Sequence, residues 1–93
     1  MNARLIKPDG TEVEIKPANS KWFSFDELYK HMECDMIEVV WKTKEKGMIM
    51  IVDEDGHHKK ELKTNFAATD LMPHLIPYPI VGNVVVCKRS MFK

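Results

Sequence analysis

Four histidines and two cysteines are the residues of this 93-residue chain that could supply nitrogen and sulfur ligands to zinc, and only His31 and Cys34 stand at the H-x-x-C spacing of a ligand pair. His57, His58, His74 and Cys87 would have to complete the set. Structural zinc sites generally present two close pairs, and a second one is missing, so Cys34 and Cys87 read as buried apolar residues and the histidines as surface or helix-end groups. Asp53, Asp55 and Gly56 have the look of a calcium loop, because hard cations need clustered oxygens. The spacing fails: an EF-hand puts glycine sixth and a bidentate Glu twelfth, and here glycine comes fourth. That segment is a turn. Nucleophilic chemistry fares no better, since G-x-S-x-G, Walker, G-x-G-x-x-G and H-E-x-x-H patterns are all missing from the sequence. The chain reads as non-catalytic, with no cofactor and no metal.

What remains is binding chemistry. Lys42, Lys44 and Lys46 alternate along one short segment, and Lys88, Arg89 and Lys93 cluster near the end. Together they would make a basic face able to contact phosphates if the two segments lie side by side. Among the aromatics, Trp22, Phe23, Trp41, Tyr78 and Phe92 are candidates for binding anchors. Core or core-rim positions are assigned to most of them. Trp22 and Tyr78, in loops beside charges or prolines, are the pair expected to be exposed. Pro77-Tyr78-Pro79 is conformationally restricted, which lowers the entropy lost on binding.

The elements that must position these residues follow from size and pattern. A 10.8 kDa chain buries about 65% of its unfolded surface, enough for one core and not two. Formal net charge is zero, but residues 1–41 carry five Lys/Arg against eight Asp/Glu, and residues 42–93 carry nine against six. The resulting −3 and +3 halves fall short of the concentrated field of a strong nucleic-acid binder. No apolar run reaches signal-peptide length near Met1 or the roughly 20 residues of a membrane span. The expectation is a cytoplasmic protein with two reduced thiols and no membrane contact.

Leu5 and Ile6 are followed by Lys7-Pro8-Asp9-Gly10-Thr11 and then Val13 and Ile15, which reads as a hairpin closed by proline, aspartate and glycine. Ser24 followed by Glu27 is a capping box, so a helix is predicted from Phe25 to about Glu33, with Phe25, Leu28, Tyr29 and Met32 on its buried face. Met36–Trp41 and Met48–Val52 form a second hairpin, the latter run unalternated and therefore covered on both faces. A polar strand or extended stretch is predicted for His57–Lys63. Asn65 caps a short helix from Phe66 to about Met72, and a last strand spans Ile80–Lys88 with a bulge at Gly82-Asn83. The fold class is α+β, one domain over residues 1–93, with a mainly antiparallel sheet of about five strands.

Ile37-Glu38-Val39-Val40, Val52-Asp53-Glu54-Asp55-Gly56, Asn65-Phe66-Ala67-Ala68-Thr69 and Ile80-Val81-Gly82-Asn83-Val84 carry a further signal. Over Met36 to Val86 the chain resembles a family of small uncharacterised domains encoded by bacteria, their phages and other mobile elements. It departs from that pattern before the third strand, where Cys34-Asp35 stands in place of a frequent glycine. The resemblance implies fold and origin, and no catalytic residues. Two functions follow as expectations: a non-catalytic accessory that binds a host protein, perhaps to blunt a defence system, through the surface around Trp22 and Tyr78; and, in the alternative, a weak nucleic-acid binder using Lys42, Lys44, Lys46, Lys88 and Arg89.

Overall fold

The structure is a computed structural model and describes residues 3–92. Its first element, β1 (Ala3–Ile6), turns through Lys7–Thr11 into β2 (Glu12–Glu14). The Gly10 N–H donates to Lys7 C=O at 2.9 Å with Gly10 at φ +92°, an angle only glycine adopts at ease, and Asp9 Oδ1 accepts from the Thr11 N–H at 2.8 Å. Next comes α1 (Phe25–Met32), started by the capping box: the Ser24 hydroxyl accepts from Glu27 N–H at 3.1 Å and Glu27 Oε1 accepts from Ser24 N–H at 2.9 Å. Glu27 Oε2 also accepts from Ala18 N–H at 2.8 Å. These backbone donors, Ser24 first, hold the Glu27 carboxyl below its usual range. The helix stops where Glu33 takes a left-handed conformation.

β3 (Ile37–Val40) and β4 (Met48–Asp53) form the second hairpin, α2 (Phe66–Thr69) is a single capped turn, and β5 (Val84–Lys88) closes the sheet. Strand order is β2-β1-β5-β4-β3, antiparallel throughout. The fold is α+β. Register sets two rows across the sheet. Leu5, Val85, Ile51 and Val39 lie on the face that α1 covers, where Leu28, Met32, Phe23, Cys34 and Cys87 complete the core. Arg4, Val86, Met50 and Val40 lie on the other face, where Ala68, with Leu71, Met72 and Ile80, packs over Met50, Val52, Val84 and Val86. Central β4 and β5 are apolar without alternation because both of their faces are covered. Cys34 and Cys87 are buried free thiols, and burial pushes the Cys87 thiol up to about 11. Among the described residues no helix is long and apolar enough to cross a membrane.

Four local expectations need correction. Residues 57–63 do not form a strand: Gly56–His58 is a 3-10 turn, and Lys59 Nζ lies 2.7 Å from the shielded carboxylate of Asp53, folding the segment back on β4. A Cβ on Gly56 would stand 2.8 Å from Val81 Cγ2, so close packing against Val81 requires glycine there. The last strand starts at Val84, not Ile80. Gly82 N–H donates to Lys63 C=O and Val81 bridges Thr64, so these residues pair with the 57–64 segment before the chain enters the sheet. α2 ends at Thr69, short of Met72, because the next donors tighten to i−3 bonds, Leu71 N–H to Ala68 C=O at 3.0 Å and Met72 N–H to Thr69 C=O at 3.1 Å, while the Thr69 hydroxyl accepts from Ile80 N–H and ties the turn to the proline-rich loop. Phe25 is 52% exposed although it has the spacing of the buried face.

Candidate functional site

β3 ends at Val40 and β4 starts at Met48, so Trp41–Gly47 must close a wide hairpin. The Thr43 hydroxyl organises it, lying 3.0 Å from Glu45 C=O and 3.1 Å from Met48 C=O and accepting from Glu45 N–H at 3.2 Å. Lys44 N–H donates to Leu71 C=O at 2.8 Å and moors the loop to the turn after α2. With Thr43 and the Lys44 backbone holding the loop, its lysine side chains are left to solvent. Lys42, Lys44 and Lys46 are all exposed and line, with Trp41, Pro73 and Arg89, an open groove of about 430 Å³. A second groove, of about 460 Å³, shares Lys44 and Pro73 with the first and continues past His74, Ile76 and Pro79.

The far wall comes from the C-terminal segment. Arg89–Met91 is a 3-10 turn, and Phe23 N–H donates to Met91 C=O at 2.8 Å, with a bridge between Phe23 and Phe92. That anchorage sets the Arg89 guanidinium carbon 5.3 Å from the centroid of the Trp41 ring, a cation–π contact. Phe92 meets Trp41 edge-on at 5.7 Å and 76°, Phe25 meets Phe92 at 6.1 Å, and Phe25 stacks on Tyr29 at 6.3 Å. Four rings thus run from the groove to α1. Their contact with one another is the reason Phe25 stays half exposed: its partner is another surface ring and not the sheet.

One carboxylate lies in the groove wall, and it is already engaged. Glu45 accepts from Arg4 Nη1 at 2.9 Å and Nη2 at 2.7 Å, while Arg4 Nε lies 2.8 Å from Glu12. The fork geometry of the Arg4–Glu45 pair is the strong bidentate kind. Lys42, Lys44, Lys46 and Arg89 therefore give the groove a local positive excess on a chain of zero net charge.

Of the residues singled out from sequence, Lys42, Lys44, Lys46 and Arg89 come together. Lys88, exposed and opposite Met48, does not line the groove, and Lys93 lies outside the described residues. Trp22 and Tyr78 do not form one surface. Trp22 is half-buried next to Phe23, at the Lys88 end of β5, whereas Tyr78 is 67% exposed beside Glu38, Val52 and Gly56 toward the Val84 end. Trp41, 51% exposed, is the anchor that sequence reasoning assigned to the core or its rim. The available signal was its place: the last residue of a strand, directly before alternating lysines. Among the described residues no three His, Cys, Asp or Glu side chains are grouped as a metal site would need. No family model matches the chain, nor does any curated protein or solved structure.

Proposed function

We propose that this protein is a non-catalytic binding domain whose ligand is a single-stranded nucleic acid, held weakly in the Trp41–Arg89 groove. The observation that carries this reading is the conjunction of four cations that form no ion pair among the described residues with a half-exposed indole in one open groove. Phosphates need the cations and unstacked bases need the ring; a duplex hides the second feature. The groove's continuation along Lys44 and Pro73 suits an extended chain better than a compact ligand.

Anisotropy of a labelled single-stranded oligonucleotide across a salt series tests it. With four cations engaged, the logarithm of affinity should fall with the logarithm of salt at a slope of about −3, and duplex of the same length should bind less well. Trp41→Ala should weaken binding by about tenfold, in line with the loss of one stacked base. Absence of binding at low salt, or binding indifferent to charge reversal at Lys42, Lys44 and Lys46, would sink the reading.

A second reading, the accessory that binds a host protein, is favoured by one observation: Leu75 is 99% exposed and shares a proline-restricted loop with Tyr78. Large apolar side chains presented on a stiffened loop suit a protein partner. If this reading holds, a partner captured by the wild type should be lost by a folded Leu75→Ala, Tyr78→Ala variant and retained by Trp41→Ala.

A further inference from the structure

The two edges of the sheet differ in how they meet water. β2 consists of Glu12, Val13 and Glu14, all exposed, and its charges blunt pairing with another strand. β3 carries Ile37, Val39 and Val40 around the single charge of Glu38, and it is flanked by exposed Met36 and Trp41. Its hydrogen-bonding edge is open. Glu54 N–H donates to Met36 C=O at 3.0 Å, so the backbone groups of Met36, Glu38 and Val40 face β4, and alternation turns those of Ile37 and Val39 outward. Among the described residues no backbone group of a loop or helix bonds to those outward groups.

We infer that β3 is the interface of a homodimer, in which a second copy adds its own β3 antiparallel and extends the sheet across a two-fold axis. Charge complementarity selects the occupant and the register. Two copies that continue one sheet keep the same face up, so the axis passes through a residue of β3. An axis at Glu38 would set two carboxylates directly opposite each other. An axis at Val39 would leave Glu38 facing Val40. An axis at Val40 carries the pairing into the two residues that follow β3 and sets Glu38 against Lys42 of the second copy twice over, Val40 against Val40, and Val39 against Trp41. In that register the outward N–H and C=O of Val39 meet the backbone of Trp41, so the ladder and the charges agree. The charged β2 edge keeps such pairing from propagating, which gives a closed dimer and not a fibre.

The dimer takes Lys42 and part of Trp41 away from the groove, so dimer and bound nucleic acid exclude one another. Sedimentation velocity of the purified chain without nucleic acid, over a wide concentration range, tests the dimer by itself. The wild type should pass from monomer to dimer as concentration rises. Glu38→Lys and Lys42→Glu, both at exposed positions, should each weaken the dimer by about tenfold, since each sets like charges opposite each other at two places. The double variant Glu38→Lys, Lys42→Glu should restore wild-type dimerisation, because the pair is reversed and not lost. A wild type that stays monomeric throughout, including one whose edge serves a strand from another protein, overturns the inference. So does a dimer that the single variants leave unchanged, or one that the double variant fails to restore.

Discussion

Ser24 and Asn65 are the same device by local criteria, an N-cap whose side-chain oxygen accepts a backbone N–H from the first turn of a helix. Their surroundings make them different in weight. Ser24 is exposed, and its partners all lie within the few residues around α1. Asn65 is 0% exposed, and while its Oδ1 accepts from Ala68 N–H at 3.0 Å, its Nδ2 donates to Ile6 C=O at 3.0 Å and Gly82 C=O at 2.8 Å. One amide joins β1, α2 and the entry to β5. The Asn65 backbone adds a bond from its N–H to Ile80 C=O at 2.7 Å, and its C=O accepts from the Thr69 hydroxyl. A cap in water can be replaced by water; a cap that also fills two buried acceptors cannot, because losing it strands both carbonyls.

Aspartate separates the two roles most sharply, since it is as good a helix cap as serine or asparagine. Ser24→Asp should change stability by no more than about 0.5 kcal/mol. Asn65→Asp should lose about 3–5 kcal/mol, because it removes both donors and buries a carboxyl against two carbonyls. With total stabilities of roughly 5–15 kcal/mol, that variant should sit near unfolding. Urea denaturation of both proteins checks this, and an Asn65→Asp as stable as Ser24→Asp would reduce Asn65 to an ordinary cap. A smaller effect belongs to Ser24→Ala, expected at about 1 kcal/mol in the same measurement. If it exceeds the loss at Asn65, the contrast is inverted.

The smallest effect concerns pH. The Glu27 carboxyl is held below its ordinary range by backbone donors, so its contribution is present above the pKa of an unfolded glutamate and is lost as pH falls through the lower folded value. Thermal midpoints of wild type and Glu27→Gln should therefore differ near neutrality and converge below about pH 4. A gap that persists in strong acid would mean that Glu27 acts through packing or neutral hydrogen bonds instead.

The hairpin at Lys7–Thr11, the start of α1 and the two hairpin strands β3 and β4 were legible because each is decided by residues adjacent in sequence. Pro8, Asp9 and Gly10 determine one turn, and Ser24 with Glu27 determines one helix end. Residues 57–63 and 80–83 were misread for the opposite reason. Their pairing is with each other and with Asp53, across separations that periodicity does not see. At the candidate site the alternating lysines were plain and Arg89 was suspected. Trp41 and Phe25 were assigned inward because aromatic residues at core spacing usually pack inward.

By itself the sequence determined that the fold is α+β, where α1 and α2 begin, and that Lys42, Lys44 and Lys46 share one short segment, since those follow from local backbone preference, capping and composition. Tertiary structure alone decided that Glu45 is consumed by Arg4, that Arg89 lies over Trp41, and that Asn65 clamps three elements. Arg4 and Glu45 are 41 positions apart, and Asn65 and Ile6 are 59. Hydrogen bonds and ion pairs act over a few ångströms, so such partners exist for one another only after the sheet order β2-β1-β5-β4-β3 has brought their strands and loops together.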